Sequence, residues 1–239
     1  MLSSVVRLSS LFLLSSAFTL AFSTAIAAPA ASESLPQSPV VASRISEIKK
    51  ADLALIKMGE APADVEKFYP AMLWKKSSEK NFWTAQLLTS IRQDFEKLEK
   101  AYDIADYCPG YREASKFHQE VCWMRLMSGI MRYESGFSAK TEFLETDVGS
   151  LSIGLFSLSA GECELTAREL TEGAKNIACG VKIFAELTAV AQGIDVQEKG
   201  QREGAAAYWS VLREAYEIHG YILGKRKEIQ ALTAKYLRF

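Results

Sequence analysis

A glutamate that closes an apolar-periodic run is the residue of this chain best placed for proton chemistry. Phe117, Val121, Met124, Met127 and Met131 recur every three or four residues, which predicts one amphipathic or largely buried helix over about 113 to 134, with Gly136 placed to stop it. Glu134 falls in its last turn. There a carboxylate meets the negative end of the helix dipole, and an apolar wall would strip it of water. Both disfavour the ionised form and raise the pKa, as a general acid near neutral pH requires. An exposed glutamate at a fraying helix end is the ordinary alternative. Against it stand three short motifs downstream of Glu134-Ser135-Gly136-Phe137: Gly154-Leu155-Phe156-Ser157, Asn176-Ile177-Ala178-Cys179-Gly180 and Ala206-Ala207-Tyr208.

Together and in this order, with 20, 22 and 30 residues between Glu134, Gly154, Asn176 and Ala206, the four motifs resemble the soluble lytic transglycosylase and goose-type lysozyme superfamily over about residues 107 to 220. The resemblance implies a mainly α, lysozyme-like domain that cuts the β-1,4 bond between N-acetylmuramic acid and N-acetylglucosamine in peptidoglycan. Glu134 would protonate the leaving oxygen, as breaking a glycosidic bond demands. In the transglycosylase version the same carboxylate then deprotonates the muramyl C6 hydroxyl and closes a 1,6-anhydro ring, so neither a second carboxylate nor a metal or cofactor is needed. In the goose-type version downstream acids help place a water. Asp147 is the best match for that role, with Glu142 and Glu145 in the same stretch, and the ordinary reading of all three is a solvated loop carboxylate. Ser135 matches a serine that hydrogen-bonds near the site, Leu155 and Phe156 an apolar floor for a sugar face, and Tyr208 a tyrosine whose hydroxyl points toward the catalytic carboxyl.

Two positions depart from the pattern: Ser157 stands where the family commonly has Gln, and Trp209 where it has Asn. The first shortens a substrate-contacting amide. The second is either a stacking surface or simple packing. They suggest an altered sugar subsite, suited to modified glycan such as de-N-acetylated strands, and they also leave room for a catalytically degraded glycan-binding protein.

The elements that must position these residues begin after an export signal. Residues 1 to 27 carry Arg7, an apolar run diluted by serines, and Ala25-Ile26-Ala27, which reads as a signal peptide cleaved near Ala27 rather than a retained anchor. Residues 28 to 43 are an Ala/Ser/Pro tether. Residues 44 to 106 are expected to form an N-terminal helical layer, from Ile45, Ile48, Leu53 and Ile56 and then Leu87, Ile91, Phe95, Leu98 and Tyr102, punctuated by Pro62 and Pro70. Residues 107 to 239 form the lysozyme-like domain. Within it 141 to 152 reads as a loop with a short ribbon, Ser159 to Glu162 as a capping box, and Asn176 as the N-cap of a helix that Gly193 ends. Helices are expected over about 204 to 219, with Ala207, Val211 and Ala215 buried, and over 222 to 237.

Composition narrows the partners. A net charge of −1, or −2 once Arg7 leaves with the signal, gives no electrostatic case for nucleic acid. The basic run Lys225-Arg226-Lys227 is either a solvated face or a handle on anionic wall polymer. Cys108, Cys122, Cys163 and Cys179 in an exported, periplasmic or secreted chain are expected to pair. Of the three possible pairings, Cys108 with Cys122 and Cys163 with Cys179 is favoured, because each closes a short loop that brackets a motif. A zinc site is a poor alternative, lacking any Cys-x-x-Cys and having only His118 and His219 to assist.

Overall fold

A computed structural model describes residues 72–74, 76–145, 149–218 and 221–235, with side chains of 217–222 left aside. The expected signal peptide, the tether, the first part of the helical layer and Asp147 lie outside the described residues. The rest is the mainly α, lysozyme-like architecture expected: helices α1 Lys80–Gln93, α2 Phe95–Leu98, α3 Lys116–Ser135, α4 Ala167–Leu170, α5 Gly173–Ala191, α6 Ala205–Tyr208 and α7 Arg226–Ala234, with short antiparallel ribbons between them.

Helix α3 runs through the middle. Every residue from Glu120 to Met131 is buried, so it is packed on all sides rather than along one stripe. It stops where the sequence says it should, at Gly136 in the left-handed conformation (φ 59°), whose N–H returns to the Arg132 carbonyl at 3.1 Å. Gly129 lets α7 approach, since a Cβ there would sit 3.1 Å from Ile229 Cγ2. Leu87, Ile91, Phe95 and Leu98 of α1 and α2 belong to the same core as α3 and α5, and α1 packs directly on α5.

The strands are β1 Glu142–Glu145, β2 Ser150–Ile153 and β3 Leu158–Ser159 in one sheet of order β1-β2-β3, then the hairpins β4 Val196–Glu198 with β5 Gln201–Glu203, and β6 Tyr216–Ile218 with β7 Tyr221–Leu223. The expected loop at 141 to 152 is therefore mostly sheet. The helix expected over 204 to 219 is one turn long. Gly204 enters it at φ 74°, ψ −166°, Trp209 leaves it extended, and the Arg213 guanidinium caps the freed carbonyls of Ala206 and Ala207 at 2.8 and 2.9 Å. Ala205 and Ala206 are buried there and Ala207 is not. Likewise α7 starts at Arg226 rather than Ile222. Arg226 is turned inward onto Asp195 and Asp106 at 3.0 and 2.9 Å, so the basic run is not a free patch.

The capping box forms seven residues later than expected, between Thr166 and Glu169 at the start of α4, because Gly161 (φ 93°) breaks the chain after Ser159. Asn176 is not an N-cap either. It lies inside the first turn of α5, fully buried, and its amide joins three chain segments: it accepts from Phe156 N (2.8 Å) and donates to the carbonyls of Ile153 (2.9 Å) and Leu170 (3.0 Å). Gly154 (φ 78°) must be glycine beside it, since a Cβ would collide with the Asn176 amide and lie 2.5 Å from the Leu170 carbonyl. Gly180, one α5 turn on, is the seat of the Phe156 ring, 2.5 Å from where a Cβ would be.

Both disulfides pair as favoured. Cys108–Cys122 ties the approach segment to α3, and Cys163–Cys179 ties the 3-10 turn Glu162–Glu164 to α5. Replacing Asn176 by Ala leaves two buried carbonyls and one buried N–H without partners, a cost of roughly 3 kcal/mol or more. Chemical denaturation is expected to show that loss for Asn176→Ala, and a comparable one for Gly154→Ala.

Candidate functional site

Glu134 sits half-buried at the C-terminal end of α3, its backbone carbonyl accepting from the Ser157 hydroxyl at 3.2 Å. Its carboxyl is pushed up to about 7. Burial is the main cause, the nearby charge of Glu145 adds to it, and a hydrogen bond from Ser157, which favours the charged form, opposes both. Ser157 reaches this place because it adopts φ 51° just after Gly154-Leu155-Phe156, a bend held from behind by Asn176.

Glu145 arrives from the sheet. Cross-strand partners share a face, so the pairs Phe143 with Ser152, Glu145 with Ser150, and Ser152 with Ser159 place Phe143, Glu145, Ser150, Ser152 and Ser159 on one side. Leu144, Leu151, Ile153 and Leu158 take the other, with Ile153 and Leu158 fully buried in the core. On the polar face Glu145 accepts from the Ser152 hydroxyl at 2.9 Å, and Ser150 bonds Ser159 at 3.1 Å. Two carboxyls thus confront each other electrostatically, one held neutral by burial and one exposed and held by a serine. Asp147, the expected second carboxylate, lies outside the described residues. Among the described residues, Glu145, ranked below it, is a carboxylate whose charge acts on Glu134.

The remaining expected residues serve as scaffold or are engaged away from Glu134. The Ser135 hydroxyl is engaged by the carbonyls of Met131 and Leu155, both at 3.0 Å, so it locks the helix end to the bend. Leu155 and Phe156 have no exposed surface. They support the bend from beneath and present no floor to a sugar, because Phe156 turns inward onto Gly180 and Trp209. Trp209 is packing: 1% exposed, it donates to the Phe156 carbonyl at 2.8 Å and lies against Phe156 and Phe184. The Tyr208 hydroxyl donates to Glu162 at 2.6 Å rather than pointing at Glu134. Burial and that carboxylate raise its pKa, and it also touches Ser159 on the polar sheet face. Ser152 belongs to none of the motifs, and Ser159 and Glu162 stand out in the sequence only as the ends of a capping-box spacing. Only the strand register, invisible in so short and serine-rich a segment, brings them in. Among the described residues no three His, Cys, Asp or Glu side chains are grouped to hold a metal ion.

No protein-family model and no curated protein sequence matches the chain. Among solved structures, wild-type form 2 of Bd0314 DslA superposes with a TM-score of 0.60 over 70% of this chain and 96% of its own, at 23% identity. Two variants of DslA, each with one glutamate replaced by glutamine, superpose with TM-scores of 0.59 and 0.61 at 22% identity over the same shares. At that identity the likeness establishes the fold.

A carboxyl whose folded pKa lies above its unfolded value binds its proton more tightly in the folded state, so stability is lost as pH rises through the interval from about 4.5 to about 7. Glu134→Gln removes that penalty. Thermal unfolding is expected to show the variant as stable as wild type near pH 4 and more stable at pH 8, by an amount on the order of 2 kcal/mol; a wild type that gains on the variant with rising pH contradicts this.

Proposed function

We propose that the protein is an exported muralytic glycosidase of the goose-type lysozyme and lytic transglycosylase kind, cleaving the β-1,4 bond between N-acetylmuramic acid and N-acetylglucosamine with Glu134 as general acid. The observation that carries this is the Glu134 carboxyl, half-buried, raised to about 7 and facing the charge of Glu145. A proton held at neutral pH beside a polar face is what a departing glycosidic oxygen needs. Export accords with two disulfides and with the absence, among the described residues, of any helix long and apolar enough to cross a membrane.

Glu145 favours water as the acceptor. Exposed and steadied by Ser152, it can hold and deprotonate a water on the far side of the sugar or stabilise the oxocarbenium-like centre, giving a reducing end. The order of the four motifs supports a second reading, transglycosylation, in which Glu134 alone closes the anhydro ring. The departures at 157 and 209 do not dismantle the site: Ser157 bonds Glu134, and Trp209 braces the bend beneath it. A short hydroxyl at 157, where the family commonly has a long amide, suits a modified sugar; unequal turnover of native and de-N-acetylated sacculi is expected on that account.

Digestion of purified sacculi, followed by mass analysis of the products, tests the proposal. Glu134→Gln is expected to abolish release while binding persists, and Glu145→Gln to reduce it by about tenfold or more. Hydrolysis gives reducing ends, and transglycosylation gives products one water lighter. Since the active form of Glu134 is protonated, turnover is expected to fall as pH rises through about 7. Equal digestion by wild type and Glu134→Gln contradicts the assignment.

A further inference from the structure

The polar face of the β1-β2-β3 sheet carries one side chain at odds with the rest. Phe143 is 62% exposed, yet it shares that face with Glu145, two residues along the strand, and with Ser152, its direct cross-strand partner. Ser152 is the residue that bonds the Glu145 carboxylate. The ring therefore stands beside the candidate second carboxylate, at the outer edge of a row of hydroxyls formed by Ser152, Ser150 and Ser159 that ends at Tyr208 and Glu162.

Single exposed apolar side chains are common on protein surfaces, and Leu144 beside it is exposed too; Phe143 is set apart by its company, a carboxylate and a row of hydroxyls on its own face. The opposite face already has its own apolar set, Leu151, Ile153 and Leu158, packed on the core, so Phe143 is not a displaced core residue. A pyranose ring presents one face of C–H groups bounded by equatorial hydroxyls. The surface complementary to it is an aromatic plane flanked by small hydroxyls, apolar contact with a few placed polar groups. Phe143 with its row of serines has that composition, on the same sheet face as Glu145.

We propose that Phe143 is a specificity-determining platform on which one sugar of the glycan strand stacks next to the cleavage point, with the serine row reading that sugar's hydroxyls. This rests on the assignment of Glu134 as the acid of a glycan site. It adds a binding residue that none of the four motifs contains, and it moves the apolar sugar contact from the buried Leu155 and Phe156 to the sheet.

The four tryptophans, Trp74, Trp83, Trp123 and Trp209, are all 2% exposed or less, so a tryptophan placed at 143 is the only one that iodide can reach readily. In the exported chain carrying Glu134→Gln and Phe143→Trp, soluble glycan strands released from sacculi by amidase are expected to protect this fluorophore from iodide. In the active chain, Phe143→Ala is expected to raise KM about fivefold with kcat changed less than about twofold, and Phe143→Tyr to restore it. Unchanged quenching with and without glycan, together with wild-type kinetics for Phe143→Ala, overturns the platform while leaving the role of Glu134 intact. Protection of the tryptophan by glycan, in a protein whose wild type releases nothing from sacculi, keeps the platform and overturns the catalytic assignment.

Discussion

Removal of water from one carboxyl, at the last turn of a buried helix, is the constraint that the rest of the structure serves. Glu134 can hold a proton near neutral pH only if α3 ends at Gly136 and the bend from Gly154 to Ser157 closes over that end. Both conditions depend on backbone that only particular residues allow. Gly136 turns left-handed, Gly154 turns left-handed against an amide that admits no Cβ, and Ser157 follows at positive φ with its hydroxyl on Glu134.

The bend is held by a clamp rather than by its own propensity. Asn176 satisfies groups from three segments, Ser135 locks the helix end to Leu155, and Trp209 donates to Phe156 from the opposite side. The Gly-Leu-Phe-Ser and Asn-Ile-Ala-Cys-Gly motifs are thus two halves of one device, since Asn176 meets Gly154 and Gly180 receives Phe156. The disulfide at Cys179 extends it to the turn that carries Glu162, the partner of Tyr208. Against this back, the sheet carries Glu145 and the hydroxyl row together on one face.

What could be read from the sequence was whatever depends on long periodicity or on single indispensable residues. The stripe from Phe117 to Met131 gave α3 and its stop at Gly136, and short-loop closure favoured the disulfide pairing that forms. Where tertiary contacts override local preference the reading failed. Asn176 looked like a cap because isolated asparagines often are, but its partners come from 6 to 23 residues away. The long helix expected after Gly204 lost to an arginine that caps the first turn. Beyond the short ribbon expected near 146 to 151, the sheet was hidden because Ser150-Leu151-Ser152-Ile153 is too short, and its partner β1 too exposed, to register as alternation. Glu145 could not be told from Glu142 for the same reason: a shift of one residue in register exchanges which of them faces the acid.

Titration of the Glu134 carboxyl, followed by the carbon-13 shift of its side-chain carbonyl with Glu134→Gln to assign the signal, tests the central claim most directly. A midpoint near 7 is expected, moving down in Glu145→Gln, which removes the neighbouring charge, and up in Ser157→Ala, which removes the hydrogen bond to the charged form. A midpoint near the ordinary 4.5, unmoved by either substitution, contradicts the account.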